Sequence, residues 1–354
     1  MRESEVGRVR KDKRPSTMLA VTFALLTLVA VACREPSQSA SEGGGEPGKV
    51  TLAVGGQTAL VYLPTTLAQE LGYYEDEGLD VEIQDFEGGS EALQSLLAGS
   101  ATVVSGFYDH TIQMAAEGRE IMSFVTILRY PGLVLTVSPE AEGISSVKDL
   151  DGGTVGVTAP GSSTDLFLKF MLAKNDMAPD AASAVAIGAT STAVAAMERG
   201  QVDAGVMLEP AVSALEERAG GELTVLADTR TPEGVKEVFG TETYPATVFY
   251  STVEWVEDNP ETAQGLVNAI VKTLEWIDGH SPEEIVQKMP ESFRGEDPAV
   301  YLEGTRNTLP TFSSDGVMEE QGPKAVLEVL SLSLEEVKNA DIDLTKTYTN
   351  EFVE

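Results

Sequence analysis

Residues 80–118, DVEIQDFEGGSEALQSLLAGSATVVSGFYDHTIQMAAEG, contain two consecutive strand–helix units. Asp80–Phe86 alternates in the manner of a strand, and Glu91–Ala98 has the apolar spacing of a helix. The same order follows at once, with a strand predicted over Thr102–Ser105 and a helix over Thr111–Glu117. Because strands that alternate with helices pair in parallel, this stretch predicts an α/β fold with helices on both faces of a mostly parallel sheet.

The same order of elements recurs further along the chain. Strands are predicted over Thr154–Val157, Ala184–Ile187 and Ala204–Leu208, each followed by a helical pattern. A shift of 101 residues places Gly99 on Gly200, and each of these glycines ends a predicted helix. The identity between the halves is weak, so a shared α/β rhythm without a repeat is the alternative. Because 354 residues also exceed what one hydrophobic core usually holds, we predict two α/β lobes.

Two segments are predicted to carry the chain between the lobes. X-Pro turns at Tyr130 and Tyr244 each lead into a β-rich run, and two such crossings would form a hinge. They place lobe 1 at 49–132, lobe 2 at 133–247 and a return to lobe 1 at 248–354. Amphipathic helices that would cover lobe 1 are predicted over Thr262–Trp276, Pro282–Lys288 and Val317–Val329.

The N-terminus has the three parts of an export signal. A basic stretch precedes the apolar run Met18–Ala32, and Cys33, the single cysteine of the chain, comes next. The run has about 15 residues, fewer than the roughly 20 that span a bilayer. Ala30-Val31-Ala32-Cys33 resembles the lipobox of bacterial lipoproteins, in which the cysteine becomes the lipid-bearing first residue. We predict a signal peptide at 1–32 and lipidation at Cys33; an unlipidated secreted protein and a membrane-spanning protein are the alternatives.

Residues 33–48 are rich in Ser, Gly, Glu and Pro, which predicts a flexible tether between the lipid and the fold. Two acyl attachments would hold the protein stably at the membrane. We therefore expect a chain anchored on the outer, extracytoplasmic face of the cell membrane, which is the periplasmic side in a Gram-negative cell.

Composition excludes several kinds of partner and cofactor. The formal net charge is −33, so the surface field repels nucleic acid and anionic membranes. A single cysteine allows no internal disulfide, and His110 and His280 are too few for a Cys/His zinc cluster. No cofactor or metal is predicted, although a metal held by oxygen ligands alone stays open.

Candidate ligand-binding residues follow the strands, because ligands of open α/β sheets bind beyond the carboxyl ends of the strands. Gly161–Asp165 lies between a predicted strand and a helix. Its hydroxyls and free N–H groups suit one small oxyanion, such as sulfonate, carboxylate or nitrate. The alternative is an ordinary capping box, with Ser162 as the N-cap and Asp165 three residues on.

Carboxylates follow strands in both halves of the chain. Asp109 lies between Tyr108 and His110 at the start of a predicted helix, and Glu209 has the corresponding place in the second half. Asp109 could cap its helix, and beside it Tyr108 offers an aromatic wall with a hydroxyl and His110 a second donor. Glu209 could cap its helix or accept a hydrogen bond from an amine or a heteroaromatic N–H group. Together they argue against a ligand that is purely anionic. Motifs for serine hydrolysis, zinc proteolysis and dinucleotide binding do not occur, so an enzyme is not predicted.

Several stretches match a known family in combination: Leu67–Tyr74, Glu77–Glu82, Gly88–Ser90, Ser146–Leu150, Gly156–Ser163 and Ala196–Ala204. Over about 49–350 the chain resembles the substrate-binding proteins of bacterial ABC importers. It is most similar to the nitrate/sulfonate/taurine type of the SsuA/THI5-like (NMT1) family. The resemblance implies a type II periplasmic-binding-protein fold, in which two lobes with a hinge close over one small solute.

The resemblance also implies a function and a set of site residues. We expect a monomeric receptor that delivers a small organic anion or zwitterion (a sulfonate, taurine or nitrate) to an ABC permease and ATPase. A receptor for a thiamine pyrimidine precursor, a related pyrimidine-synthase-like enzyme, and a lipoprotein sensor or adhesin are the alternatives. The fungal pyrimidine-making relatives have a Cys-rich segment, which this chain lacks. The implied ligand-binding residues are Gln57, Tyr108, Asp109, Ser162, Ser163 and Glu209.

Overall fold

The computed structural model describes residues 48–295 and 297–353, which contain two five-stranded sheets with helices on both faces. The predicted signal peptide (1–32), the lipidation site Cys33 and the tether up to residue 47 lie outside the described residues. Among the residues described, every helix is too short or too polar to cross a bilayer.

The strands, in chain order, are β1 (Lys49–Gly55), β2 (Asp80–Phe86), β3 (Val103–Phe107), β4 (Ile121–Thr126), β5 (Val134–Val137), β6 (Thr154–Val157), β7 (Ser183–Ala186), β8 (Ala204–Met207), β9 (Val225–Asp228) and β10 (Thr247–Thr252). The first sheet has the order β2-β1-β3-β10-β4, and the second has the order β7-β6-β8-β5-β9. We call the first sheet with its helices lobe 1 and the second sheet with its helices lobe 2.

Each sheet contains one reversed strand, and that strand follows a crossing between the lobes. In lobe 1, β10 pairs antiparallel with both β3 and β4, whereas β1 pairs parallel with β2 and β3. In lobe 2, β5 pairs antiparallel with β8 and β9 in the same way. The remaining four strands of each sheet run in one direction, so the prediction of two mostly parallel sheets is confirmed.

The two sheet orders are equivalent strand for strand, with β1, β2 and β3 corresponding to β6, β7 and β8. The shift of 101 residues that aligns Gly99 with Gly200 also aligns the first residues of β3 and β8. An internal repeat therefore explains the chain better than an alternation of strands and helices that recurs by chance. Sequence reasoning missed β4 and β9, because β4 is almost wholly buried and does not alternate, and β9 is a short edge strand.

The described helices are α1 (Leu63–Glu70), α2 (Tyr73–Asp76), α3 (Gly89–Leu97), α4 (Asp109–Ala116), α5 (Ser163–Lys174), α6 (Ser191–Glu198), α7 (Ala211–Ala219), α8 (Pro232–Phe239), α9 (Val253–Asp258), α10 (Pro260–Asp278), α11 (Pro282–Lys288), α12 (Pro298–Thr308), α13 (Gln321–Ser333) and α14 (Glu335–Asn339). The helix predicted over Val317–Val329 begins later than expected, at Gln321. The Asn350 side chain binds both the backbone N–H and the carbonyl of Met318, which holds that residue outside the helix.

C-terminal helices pack on lobe 1. Leu63 of α1, Ile285 of α11 and Tyr301 of α12 share one buried apolar cluster. Burial of such side chains contributes about 1.5–3 kcal/mol each. The cluster fixes α12 to lobe 1, and α12 in turn reaches Pro210, the N-cap residue of α7 in lobe 2: a Cβ on Gly304 would lie 3.1 Å from Pro210 Cα.

Candidate functional site

The carboxyl ends of the parallel strands in the two lobes face each other and are in contact. The Thr58 and Thr190 hydroxyls lie 3.1 Å apart, and the N–H of Leu60 donates to the carbonyl of Glu209 at 2.8 Å. The N–H of Ser90 donates to Oγ of Ser162 at 3.0 Å. Each of these bonds joins lobe 1 to lobe 2, so the structure represents the closed arrangement of the lobes.

Small residues allow this close approach. A Cβ on Gly56 would lie 2.4 Å from Cβ of Ala189, and a Cβ on Gly88 would lie 2.7 Å from Cβ of Ala159. Real Cβ atoms do not approach so closely, because van der Waals repulsion rises steeply at these distances. The lobes could therefore not close in this way with larger residues at positions 56 and 88.

A buried polar group lies between the lobes, which we call the inter-lobe cluster: Tyr62, Asp109, His110, Ser163, Tyr244 and Tyr250. Tyr62 follows β1, and Asp109 and His110 begin α4, so lobe 1 supplies these side chains from its strand ends. Ser163 is the first residue of α5 in lobe 2. Tyr244 lies on the second crossing, and Tyr250 lies in β10.

Asp109 is 3% exposed and forms no ion pair with Lys or Arg in the part of the chain that the structure describes. Its Oδ1 accepts a hydrogen bond from Oγ of Ser163 at 2.8 Å, from one lobe to the other. Burial raises the pKa of Asp109, and the hydrogen bonds that the Ser163 hydroxyl and the backbone N–H of His110 donate to the carboxylate oppose that rise. A carboxylate buried in this way is costly until a donor or a cation compensates it.

Three phenol groups surround the carboxylate. Burial raises the pKa of Tyr62, Tyr244 and Tyr250 above the ordinary tyrosine value, and the charge of Asp109 adds to the rise in all three. Their hydroxyls are therefore protonated at physiological pH. Each can donate a hydrogen bond to a ligand or to the carboxylate, and each also presents an aromatic face.

His110 is fully buried beside Asp109. Its Nδ1 lies 3.1 Å from the hydroxyl of Tyr250, and its Nε2 has no hydrogen-bond partner among residues 48–295 and 297–353. Burial lowers the pKa of His110 more than the charge of Asp109 raises it. The imidazole is therefore neutral near pH 7 and supplies no positive charge to balance the carboxylate.

A small cavity remains at the cluster. Asp109, Ser163 and Tyr244 provide its polar wall, and its apolar wall includes Phe167 and Phe239. The space open to the centre of a water molecule is about 10 Å³, which is the room of roughly one water. A solute larger than water therefore requires the lobes to move apart before it can enter.

Three of the sequence-predicted residues lie away from this cavity. The Tyr108 hydroxyl bonds Thr347 near the C-terminus, and the Gln57 amide donates to Thr66 at 3.1 Å. The Oγ of Ser162 is occupied by Ser90 of lobe 1, which makes this side chain a contact between the lobes. Asp109 and Ser163 are the predicted residues that the structure brings together.

Glu209 is buried and already has partners for both carboxylate oxygens. Its Oε1 accepts from Arg230 at 2.6 Å and from Asn307 at 3.0 Å, and its Oε2 accepts from the N–H and hydroxyl of Ser213. The expected interaction with an amine of the ligand would have to displace Arg230. The peptide bond between Glu209 and Pro210 is cis.

The capping box predicted for Ser162 and Asp165 does not form. Ser162 occupies the N-cap position but makes no side-chain cap bond, because its hydroxyl bonds Ser90 in lobe 1. Asp165 accepts instead from the N–H of Gly161 at 2.8 Å and from Lys169 at 2.9 Å. Asp109 does not cap α4 either, since Tyr108 is the N-cap residue and Asp109 is the first helical residue.

Sequence reasoning missed the tyrosines of the cluster and Arg230. Tyr62 lies within the same strand-end loop as Gln57, so its position was an available signal. Tyr244 precedes Pro245 in the predicted turn, and that pattern concerns the backbone and gives no information on where the aromatic side chain lies. Arg230 follows the short edge strand β9, and nothing in the local pattern indicates its pairing with Glu209.

The arrangement supports binding more readily than catalysis. A neutral imidazole, protonated phenols and one buried carboxylate can hold a solute by hydrogen bonds. Among the residues described, no three His, Cys, Asp or Glu side chains converge in a way that could hold a metal ion. The inter-lobe cluster is therefore the candidate solute site.

Comparison with protein families and solved structures identifies the fold. The family model described as NMT1/THI5-like matches residues 60–285. A structure from Bordetella bronchiseptica RB50 is 40% identical, with a TM-score of 0.82, over 86% of this chain and 96% of that one. The alkanesulfonate-binding protein SsuA of Xanthomonas axonopodis pv. citri, solved with MOPS bound, is 18% identical, with a TM-score of 0.69, over 86% of this chain and 99% of that one. The prediction of a periplasmic-binding-protein fold is confirmed.

Relatives found by sequence have two kinds of names. YtlA of Bacillus subtilis, named as a binding protein, is 23% identical over 248 residues, which cover 68% of this chain and 70% of that protein. The 4-amino-5-hydroxymethyl-2-methylpyrimidine phosphate synthase of Schizosaccharomyces pombe is 31% identical over 166 residues. That match covers 46% of this chain and 45% of the yeast enzyme.

Proposed function

The chain belongs to the NMT1/THI5-like family, and on that premise we propose that it is the solute-binding component of an ABC importer. The observation that carries the proposal is the contact between the strand ends of two α/β lobes around a buried, hydrogen-bonding cluster. Asp109 of lobe 1 and Ser163 of lobe 2 meet there at 2.8 Å, so one solute could bind both lobes. Binding would shift the open–closed equilibrium, and the closed form would deliver the solute to the permease.

The proposed location is the extracytoplasmic face of the cell membrane. The basic and apolar segments before Cys33 and the tether to residue 48 support export and lipid attachment, with the folded part acting as a monomer. Mass spectrometry of the mature N-terminus tests this. We expect the mass of a diacylglyceryl group on Cys33, whereas an unmodified cysteine would indicate a receptor that is secreted without a lipid anchor.

Of the expected solutes, the zwitterion taurine suits the cluster better than nitrate or a simple sulfonate. Taurine brings an ammonium group that could pair with Asp109, and the other two have no N–H donor. Two features oppose a purely anionic solute: the carboxylate of Asp109 and the carboxylate of Asp165, which binds the N–H of Gly161 in the loop expected to hold an anion.

The test of the receptor function is a solute-dependent closure of the lobes. The purified mature chain, freed of bound solute by unfolding and refolding, is measured by small-angle X-ray scattering with taurine, alkanesulfonates, nitrate, amino acids, amines and pyrimidines. A receptor loses radius of gyration with at least one solute and gains thermal stability with the same solute. A chain that responds to none of these solutes, nor to a concentrate of cell metabolites, is not a solute receptor.

A second candidate is a receptor for a pyrimidine precursor or a pyrimidine-making enzyme, which the identity with the yeast synthase favours. Aromatic walls around a carboxylate would also suit a pyrimidine that carries an amino group. Ultraviolet spectra of the solute released from the purified protein distinguish a pyrimidine from taurine. Release of the same compound unchanged after incubation would favour a receptor over an enzyme.

A further inference from the structure

Resting on the proposed function, we infer that the solute is an organic cation whose charged nitrogen pairs with the Asp109 carboxylate. The inference begins with the balance of charge in the cluster. Asp109 lies in a closed, aromatic environment, and the neighbouring His110 is neutral. Natural proteins bury carboxylates with a partner, because an isolated buried charge is expensive. A cationic solute supplies the partner that the described residues do not.

The hydrogen bonds of Asp109 leave room for such a partner. Ser163 occupies Oδ1, and Oδ2 accepts no side-chain hydrogen bond in the described part of the chain. The carboxyl group lines the cavity together with Ser163 and Tyr244. A nitrogen that enters this cavity would meet this carboxylate, whose partners within the protein are the hydroxyl of Ser163 and the backbone N–H of His110.

The apolar wall of the cavity is aromatic. The rings of Phe239 and Tyr244 stack with centroids 4.1 Å apart, and Phe167 meets Phe239 edge-on at 5.8 Å. Tyr62 and Tyr250 add two more aromatic rings near Asp109. Aromatic faces attract cations through the ring quadrupole, most strongly where water is excluded.

His110 lies at the boundary between the lobes, next to Asp109 but outside the residues that line the cavity. Its Cε1 lies 3.2 Å from the position of a Cβ built on Gly89, at the boundary between the lobes, and its Nε2 has no partner among the described residues. Because the neighbouring Nδ1 is bonded to Tyr250, the tautomer is coupled to that phenol. A neutral imidazole can exchange a hydrogen bond with a solute without repelling its positive charge.

The mouth of the cleft is acidic and therefore also favours a positively charged solute. Asp85, Glu87 and Glu91 of lobe 1 line a groove opposite 188–192 of lobe 2. Asp85 is held in place by the N–H groups of Gly56 and Gln57, at 3.1 Å and 2.7 Å. With a net charge of −33, the protein attracts cations toward the cleft and repels anions from it.

The test uses three probes with the same ring and different charge: benzamidinium, benzamide and benzenesulfonate. Each is titrated by calorimetry into the solute-free mature protein. We expect benzamidinium to bind at least ten-fold more tightly than benzamide, and benzenesulfonate to bind most weakly. Tighter binding of benzenesulfonate would overturn the inference, and the receptor function would still stand because the lobes would close on an anion.

Two further measurements keep the result decisive. Asp109→Asn should lose at least ten-fold in affinity for benzamidinium and leave the affinity for benzamide unchanged, whereas Asp85→Asn at the mouth of the cleft should change affinity only at low salt.

If none of the three probes binds, the solute that co-purifies with the protein is identified, and its charge is determined by ion-exchange chromatography. A co-purified cation supports the inference, and a neutral or anionic solute refutes it. Absence of any solute, together with absence of lobe closure, refutes the proposed function as well.

Discussion

Asn307 of lobe 1 donates from Nδ2 to Oε1 of Glu209 in lobe 2 over 3.0 Å. The same carboxylate oxygen accepts from Arg230, whose guanidinium also binds Asp228. The backbone of Glu209 joins the lobes too, because its carbonyl accepts from Leu60. The residue that the sequence placed at the solute is, in the structure, a bridge between the lobes.

Asn307→Ala should loosen this bridge. Loss of a hydrogen bond to a buried carboxylate costs about 1–2 kcal/mol, and the loss falls on the closed form. We expect a larger radius of gyration in solution and weaker solute binding. The matched control is Asn268→Ala, which removes an exposed bond to Glu77 within lobe 1. If both substitutions change lobe closure equally, the hydrogen bond between Asn307 and Glu209 does not hold the lobes together.

Gly88→Ala should hold the lobes apart without straining its own backbone. Gly88 has φ −154° and ψ 165°, an extended conformation that alanine adopts, and the added Cβ would meet Ala159 and Ser162 of lobe 2. We expect at least a ten-fold loss of solute affinity, about 1.4 kcal/mol, with a change in unfolding free energy below about 1 kcal/mol.

The pairing of Gly88 and Ala159 allows a compensating change. The double variant with Gly88→Ala and Ala159→Gly should recover part of the solute affinity, because it relieves the contact with the Ala159 methyl group but keeps the contact with Oγ of Ser162 at 2.9 Å. Gly279→Ala serves as the control for a general effect of alanine, since its Cβ would make only ordinary contacts, the nearest at 3.6 Å. A double variant that binds the solute no more tightly than Gly88→Ala would show that the contact with the Ala159 methyl group does not limit closure.

His110 should make the stability of the protein depend on pH. Its pKa is lowered in the folded state by burial, so the unfolded chain takes up a proton first as the pH falls below about 6.5. Folding stability should then decline by up to about 1.4 kcal/mol per pH unit. Asp109, whose pKa is raised, gains stability on acidification and acts in the opposite sense.

The contribution of the imidazole is isolated by comparing the wild type with His110→Gln in urea unfolding between pH 8 and pH 5. The variant should lose less stability than the wild type as the solution is acidified. Tyr250→Phe removes the bond to Nδ1 but keeps the imidazole, so its pH slope should match the wild type. A wild type and His110→Gln with parallel profiles would show that His110 is not held neutral by burial.

The sequence predicted the elements that have a local signal. Asp80–Phe86, Thr154–Val157 and Pro282–Lys288 have the predicted bounds, because alternation defines the first two and a Ser-Pro start with a capping box defines the third. The strand order of each sheet was not predicted, because no local pattern encodes which strands pair. The position of β10 between β3 and β4 depends on contacts across more than a hundred residues, and no periodicity encodes it.

The site was predicted less completely than the fold. Asp109 and Ser163 were predicted because each lies beyond the carboxyl end of a strand, and such positions converge in this fold. Tyr62, Tyr244 and Tyr250 reach the same point from a turn, a crossing and a strand, so their convergence depends on the closed arrangement of the lobes. Glu209 was placed at the correct strand end, but its partner Arg230 comes from beyond an edge strand that carried no signal.

The central position of β10 has a consequence for synthesis of the protein. Lobe 1 begins at the N-terminal end of the fold, yet the strand that joins β3 to β4 is Thr247–Thr252, and the whole of lobe 2 is encoded before it. As the chain emerges from the ribosome or a translocon, β3 and β4 have unpaired backbone edges until this strand arrives. The order of synthesis therefore does not let lobe 1 complete its sheet before lobe 2. All strands of lobe 2 have been made while the sheet of lobe 1 still lacks β10. During that interval a chaperone could cover the unpaired edges of β3 and β4.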